Sequence, residues 1–598
     1  MQPAMTGASG QVARKAAADG RGTRARSWSP KSGRGRRTPT CCARRGAARR
    51  PRDAPPGGGW TRRPKSGRGR RTPTSSRTRH GIWRGTGPVP SPRAERAGPR
   101  ARSHRTTTPR TSGHGRARSR TGTGTGGREG CRALPEARTE TTMSDAPPDL
   151  PLGRPFRGLR VHGVLGRGGM GTAYLASHEV LRRPLVLKLF RPQGPELFRE
   201  AHLAARVASP HVVGVLDAGI EAGAPFVVQH YVDGLDLQAL LEATRPLGPL
   251  PTAAVVRLVA DVARGLAAIH RAGVVHGDIK PANLFLGGDG RALLGDFGIA
   301  RDPHARPRAD DPDPAAVAGT PIFFAPERWT GAPSTPASDL YALGVTAHWL
   351  ATGAPPFVGE TAQQLFYAHA TEPYVPPPTD DPARAYLFTV VARLLAKAPE
   401  DRPPHAEALV RALERIAEPL PRFAPVAEGA AKVGEVEVVL RHGDLSTAQT
   451  DVLVNAAYPA LTMDLGVAAS LRRVGGEGVE EEARAQAPQP MGAVVWTGAG
   501  ALAARHVAHA VAAIDGAICI QRAALRALLG ARARGASSVA FPALGTGVGQ
   551  VPHALGAKLL LETVRTHAAL GAGKLRRVEV WLYAADAHAV WADVLRAM

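Results

Sequence analysis

The strongest constraint on this chain lies in nine residues, Val275-His276-Gly277-Asp278-Ile279-Lys280-Pro281-Ala282-Asn283. They set an acid, a base and an amide at fixed offsets. Just before them, residues 252–273 carry Val255, Leu258, Val259, Val262, Leu266 and Ile269 at helical spacing. That periodicity predicts an amphipathic helix with one buried face, running directly into the polar cluster. Thirteen residues past Asn283 stands Asp296-Phe297-Gly298. A lone triplet of that kind means little; its value comes from the motifs around it.

The chain has 598 residues, room for several domains. Its formal charge of +28 is unevenly placed. Residues 1–142 hold 35 Lys and Arg against 6 Asp and Glu, whereas the remainder holds 43 against 44. All net basicity therefore lies in the first quarter. That quarter is rich in Arg, Gly, Pro, Ser and Thr and nearly empty of aliphatic residues. It cannot bury enough apolar surface to offset chain entropy, so disorder is expected. An eleven-residue segment, PKSGRGRRTPT, occurs at 30–40 and again at 64–74, as a recent duplication would leave it. Two readings stand. One is an electrostatic arm for nucleic acid, weakened by the scarcity of aromatic residues to stack on bases. The other is a stretch outside the working protein, with Met143-Ser144-Asp145 as the true start. Cys41, Cys42, Cys131 and Cys519 show no zinc-ligand spacing and no disulfide framework. No apolar run is long enough to span a membrane and no signal core opens the chain, so a cytoplasmic location is expected.

The catalytic stretch and Asp296-Phe297-Gly298 resemble the catalytic loop and the metal-binding loop of protein kinases. The rest of the pattern is in order. Gly166-Arg167-Gly168-Gly169-Met170-Gly171 lies between two strand-like segments, Val161–Leu165 and Ala173–Ala176. A dinucleotide fold would need a helix after the glycines; here an extended segment follows. Leu185-Val186-Leu187-Lys188 comes next, then Phe198-Arg199-Glu200-Ala201 on a helix. The resemblance implies that Gly166, Arg167, Gly168, Gly169 and Gly171 cover the ATP phosphates. It implies that Lys188 contacts the α- and β-phosphates and pairs with Glu200, with Glu196 the rival partner. The adenine would meet the hinge Gln229-His230-Tyr231-Val232, chiefly at His230 and Val232. Ala173 and Val186 would line its face. The family usually has Val and Ala at those two places, so the exchange roughly conserves volume, which apolar sites tolerate best. Asp278 would accept the hydroxyl proton of a peptide substrate and Lys280 would neutralise the transferring phosphoryl group. Asn283 and Asp296 would hold Mg²⁺ through hard oxygen atoms.

Downstream, Gly319-Thr320-Pro321 and Ala325-Pro326-Glu327 resemble the substrate-docking segment. Ser338-Asp339-Leu340-Tyr341 opens a helix whose Asp, in the family, braces the catalytic loop. Asp401-Arg402-Pro403 supplies an arginine to pair with Glu327. The likeness runs over 157–417 and is nearest to bacterial serine/threonine kinases of the eukaryotic type. One departure matters. The family usually carries Arg before the catalytic Asp, where this chain has Gly277, and residues 299–319 contain no Ser, Thr or Tyr.

Residues 418–433 read as a short linker of Pro, Ala and Gly. After it, strands and helices alternate, which predicts an α/β layer fold. Gly443-Asp444-Leu445 follows the first strand, Val452–Val454 leads into Asn455-Ala456-Ala457, and Val539–Ala543 leads into Gly545-Thr546-Gly547-Val548-Gly549 with a helix at 553–569. A strand, a glycine-rich turn and a helix make an anion-binding arrangement. With Val507-Ala508-His509, these motifs resemble a macrodomain, the ADP-ribose-binding module, over 434–598. The resemblance implies that Asp444, with Leu445, meets the adenine, that Asn455 faces the distal ribose, and that Gly545, Thr546, Gly547, Val548 and Gly549 cradle the diphosphate. Hydrolytic members carry a second Asn where this chain has Tyr458, an Asp where it has Ala468, and an aromatic where it has Gly549. Without a carboxylate to activate water, the module is expected to read ADP-ribose and not remove it.

The expected protein is thus multidomain: a disordered basic segment, a bilobal α+β protein kinase fold, and an α/β three-layer macrodomain. It would take ATP and Mg²⁺, protein substrates with Ser or Thr, and ADP-ribose free or on modified proteins. The rival expectation is a catalytically weak kinase serving as an ADP-ribose-dependent adaptor.

Overall fold

The computed structural model describes residues 150, 153, 155–168, 171–191, 205–296, 321–512 and 516–598. The expectations placed on 1–142, Gly169, Glu196, Glu200, Phe297, Gly298 and 299–320 fall outside these residues.

A small lobe comes first. Strands β1 (Pro155–Phe156), β2 (Leu159–Gly168), β3 (Gly171–His178), β4 (Pro184–Phe190), β5 (Val215–Glu221) and β6 (Ala224–His230) form one sheet in the order β1-β2-β3-β4-β6-β5. Alternation sorts its two faces. Tyr174, Ala176, Leu185, Leu187 and Leu189 point into a core with Phe226 and Val228. Ala173, Val186 and Lys188 fall on the half-open face, with Ala173 paired to Lys188 and Leu175 to Val186. Gly171 is required by packing: a Cβ there would lie 2.0 Å from the Leu189 carbonyl oxygen.

After the hinge, β7 (Gly234–Asp236) leads to α1 (Leu237–Thr244) and α2 (Thr252–Arg271). The helix expected over 252–273 is α2. It buries Val255, Leu258, Val259, Val262, Leu266 and Ile269, all on its inward face. Truncating any one of the larger of these to Ala is worth about 2–5 kcal/mol of stability. Hairpin β8 (Leu284–Gly287) and β9 (Ala292–Leu294) follows. Then come α3 (Pro326–Trp329), α4 (Pro336–Thr352), α5 (Ala362–Thr371), α6 (Pro382–Leu394) and α7 (Ala406–Leu413). Thr335 caps α4 reciprocally with Ser338, so the helix begins just before the Ser-Asp motif.

The second half is an eight-stranded mixed sheet. Its strands are β10 (Phe423–Ala427), β11 (Ala430–Val433), β12 (Val436–His442), β13 (Val452–Ala457), β14 (Val494–Gly498), β15 (His506–Val511), β16 (Ser538–Pro542) and β17 (Arg577–Leu582). Their order is β10-β11-β12-β17-β16-β13-β15-β14. Helices α8 (Gly466–Gly475), α9 (Glu477–Arg484), α10 (Ile520–Ala533), α11 (His553–Ala569) and α12 (Ala585–Ala597) complete it. The structure corrects the reading of 418–433 as linker throughout: β10 and β11 lie inside it, paired antiparallel onto β12. Phe423, Ala431 and Val433 bury into the sheet core, an alternation that the Pro, Ala and Gly composition disguised.

The described residues belong to one compact unit, and α10 joins its two halves. Ile520, Ala523, Ala524, Ala527, Leu528 and Ala531 pack in the second core. Leu525 and Leu529, four apart on one stripe, pack in the first.

Candidate active site and nucleotide clefts

Asp339, at the start of α4, organises the catalytic loop. Its Oδ2 accepts from the His276 amide at 2.9 Å and its Oδ1 from the Gly277 amide at 2.8 Å, while His270 Nε2 lies 2.9 Å from Oδ2. His276 Nε2 in turn reaches the Gly295 carbonyl at 2.9 Å, tying this loop to Asp296. Asp278 is thereby held in place. Lys280 Nζ lies 3.0 Å from Asp278 Oδ2. Asn283 Nδ2 donates to the Asp278 carbonyl at 2.8 Å and to its Oδ2 at 3.0 Å. With the amide nitrogen so engaged, the Asn283 oxygen is the atom left to ligate. Lys188 Nζ forms an ion pair with Asp296. Asp296 takes a left-handed φ of 50°.

The structure therefore brings together Lys188, Asp278, Lys280, Asn283 and Asp296. Asn283 and Asp296 offer hard oxygens of the kind Mg²⁺ takes when phosphates supply the rest of its shell. Among the described residues no group of three His, Cys, Asp or Glu gathers to hold a metal alone. Gly166, Arg167 and Gly168 are exposed, and a Cβ on Gly166 or Gly168 would meet nothing within 4 Å. This stretch of β2 lies open to solvent. His230 ends β6 and Val232 follows within the hinge. Arg402 and Glu327 pair bidentately at 2.6 and 2.8 Å, with Arg402 only 2% exposed and also donating to the Ala396 and Lys397 carbonyls.

In the second half, β12, β17, β16, β13 and β15 run parallel. Their following loops collect at one end of the sheet, where open α/β folds bind ligands. Asp444 stands there, after β12. Burial alone would raise its carboxyl. The Ser470 hydroxyl at 2.6 Å, the Ser446 amide at 2.9 Å and the nearby Arg473 hold it below the usual range. Leu445 opens the short turn that Asp444 caps and is buried. Gly545–Gly549 follow β16 at the same end. A Cβ on Gly547 would meet nothing within 4 Å, and Val548 is exposed.

Asn455 is buried in the structure. It is 0% exposed within β13, and its Nδ2 lies 3.1 Å from His509 Nδ1, whose Nε2 reaches the Thr497 hydroxyl at 3.0 Å. Its Oδ1 has no partner among the described residues. Asn455 and His509 are register partners whose side chains share one face of the sheet, and both are fully covered there, so the amide does not meet open solvent. Sequence reasoning also passed over two residues. Ser470 holds Asp444, a contact that helix periodicity could not reveal. Tyr583 is 84% exposed just past β17, where Leu582 pairs with His442, two residues before Asp444. An exposed aromatic beside a buried strand end was the available signal.

Comparisons with known proteins agree with this division. The protein kinase domain family matches residues 159–412, and the macro domain family matches residues 454–560. The serine/threonine-protein kinase PknD of Mycobacterium tuberculosis (strain CDC 1551 / Oshkosh) is 37% identical over 272 residues, covering 44% of this chain and 39% of that protein. The serine/threonine-protein kinase PkaA of Streptomyces coelicolor is 39% identical over 269 residues, covering 44% of this chain and 46% of that protein. The chain thus spans less than half the length of these relatives. The crystal structure of the Mycobacterium tuberculosis PknI kinase domain aligns with 32% identity and a TM-score of 0.35, over 45% of this chain and 100% of that one. Among the described residues no helix is long and apolar enough to cross a membrane.

Proposed function

We propose, for a chain that joins a protein kinase domain of the bacterial serine/threonine type to a macro domain, that it moves the ATP γ-phosphate to Ser or Thr of protein substrates. The observation that carries the reading is the grouping of Asp278, Lys280 and Asn283 on a loop braced by Asp339. The adenine would sit against His230 and Val232, between Ala173 and Val186 above and the β8 hairpin below. Backbone amides from Gly166 to Gly171 would cover the phosphates and Lys188 would hold the α- and β-phosphates. Glu200 remains the proposed ion-pair partner of Lys188. The substrate hydroxyl oxygen attacks the γ-phosphorus, the bond to the β–γ bridging oxygen breaks, and ADP leaves. Asp278 takes the hydroxyl proton, and Lys280 offsets charge on the moving group. Asn283 and Asp296 would hold Mg²⁺, which supplies positive charge to the phosphate oxygens.

The macro domain is proposed to bind ADP-ribose, free or on modified proteins, with the adenine at Asp444 and the diphosphate over Gly545–Gly549. The open space above Gly547 and the preformed anionic acceptor at Asp444 support this. Action in the cytoplasm belongs to the same reading.

The test uses the purified full chain with labelled ATP, Mg²⁺ and a generic basic protein. Asp278→Asn and Lys188→Met should each lower phosphate transfer by about a hundredfold or more, the usual weight of a general base or a phosphate clamp. Full activity in both variants removes the kinase reading.

A further inference from the structure

The hinge is gripped from outside by the macro domain, and the grip centres on Asp233. This residue follows Val232 directly. Its carbonyl accepts from the Gly288 amide of the β8–β9 turn at 3.0 Å. Its side chain reaches across to the macro domain. Oδ2 accepts from the Gln521 amide and Oδ1 from the Arg522 amide, both at 2.9 Å. Those amides open α10, the helix shared by the two cores. The helix has no cap of its own, because Cys519 at its first boundary takes a left-handed φ of 60° and makes no side-chain cap bond. A carboxylate at this position satisfies two orphan amides and meets the positive end of the helix dipole. Asp233 thus caps, across 288 residues, a helix of the other domain.

The seat is apolar around this bond. Ile518 and Cys519 are buried against Leu175, Leu165 and Tyr231. Tyr231 Oη lies 3.0 Å from Cys519 Sγ. Leu165 lies in β2 just before Gly166, and Tyr231 is the hinge residue between His230 and Val232. The macro domain therefore touches the small lobe at the hinge residue Tyr231 and at Leu175, the register partner of Val186.

We infer that Asp233 is a positioning residue for ATP: by capping α10 it holds the hinge backbone in the form that receives adenine. The inference rests on the reading of 229–232 as the adenine-binding hinge. A backbone fixed before binding loses less freedom when the ligand arrives, so its loss weakens affinity and leaves the chemical step alone.

Two variants of the full chain test it from opposite sides. Asp233→Ala removes the cap. Gln521→Pro removes one of the amides it caps, within the first helical turn where no intrahelical bond is lost, and leaves Asp233 itself in place. Each should raise KM for ATP by about tenfold and weaken a fluorescent ATP analogue in parallel, with kcat within about twofold. Hydrogen exchange should quicken at 229–233. Arg257→Ala, which loses a 3.0 Å bond to the Ala569 carbonyl away from the hinge, should leave KM for ATP unchanged. An unchanged KM in Gln521→Pro overturns the inference, as does a fall in kcat without a change in KM. Wild-type chain that binds no ATP analogue overturns the hinge reading itself and this inference with it.

Discussion

Gly277 and Asp339 are joined across 62 residues, the glycine amide donating to the aspartate at 2.8 Å. The same carboxylate holds the His276 amide and faces His270, and it is 1% exposed. Removing it would leave buried donors without acceptors, at about 1–3 kcal/mol apiece. It would also free the loop that carries Asp278. Asp339→Ala is therefore expected to lower both melting temperature and kcat, the latter by about a hundredfold, the usual effect of small misplacement of a catalytic group. Asp339→Asn keeps one acceptor oxygen and should fall between. An Asp339→Ala enzyme with unaltered kcat would show that the loop holds its shape without this brace.

Acid should unfold the chain through its buried histidines. Burial pulls His348, His369 and His509 from 6.5 down to about 4 and His567 down to about 3, with Lys397 and Arg532 adding to the effect at His369 and His567. Their folded values are depressed, so the unfolded chain binds these protons first. Stability is then complete above pH 6.5 and is lost as pH falls toward 4. His567 is the informative one, since both ring nitrogens lack partners among the described residues. His567→Leu removes a proton site from the unfolded chain and a desolvated polar ring from the core. Its melting temperature should exceed the parent's by more at pH 5.5 than at pH 8. Equal differences at the two pH values would assign the acid sensitivity to other groups.

What could be read from the sequence was what repeats locally or keeps strict spacing. The α2 face was visible because six apolar residues recur at helical intervals. The Arg402–Glu327 pair was visible because both lie in short motifs. The strands β10 and β11 were hidden, because Ala and Pro carry weak strand signals and pairing onto β12 decides the outcome. The burial of Asn455 was hidden for a similar reason: position in a sheet is a tertiary fact. The bond from Asp233 to α10 has no local signal at all, since its partners lie 288 and 289 residues away.

The macro domain is expected to bind ADP-ribose without releasing it from a modified protein. Asp444 is engaged by Ser470 and Arg473, and no second carboxylate stands at Ala468, which is buried. Calorimetry on the full chain should register binding. Asp444→Ala should weaken it about tenfold or more, the usual loss for a hydrogen bond to a charged acceptor. No heat at millimolar ADP-ribose would remove the ligand reading, and clear de-modification on gels would remove the reader reading.

Activity should not depend on phosphate in the segment between Asp296 and Pro321. In most kinases of this kind, an arginine beside the catalytic Asp receives a phosphate on that segment, which adds nearly two negative charges and several strong acceptors. Here the receptor position is Gly277 and residues 299–319 offer no hydroxyl. The backbone at Gly277 suits glycine: its φ is +73°, and a Cβ would lie 3.0 Å from Ser334 Oγ. Gly277→Arg should therefore cost about 1–2 kcal/mol in stability and bring no dependence on phosphorylation. Thr320 is a poor substitute site, because the family resemblance places its hydroxyl against the catalytic Asp and Lys. Kinase treated with phosphatase, then freed of it, should transfer phosphate at full rate from the first minutes. A lag that pre-incubation with ATP removes, with phosphate mapped to Thr320, would show that the segment is switched after all.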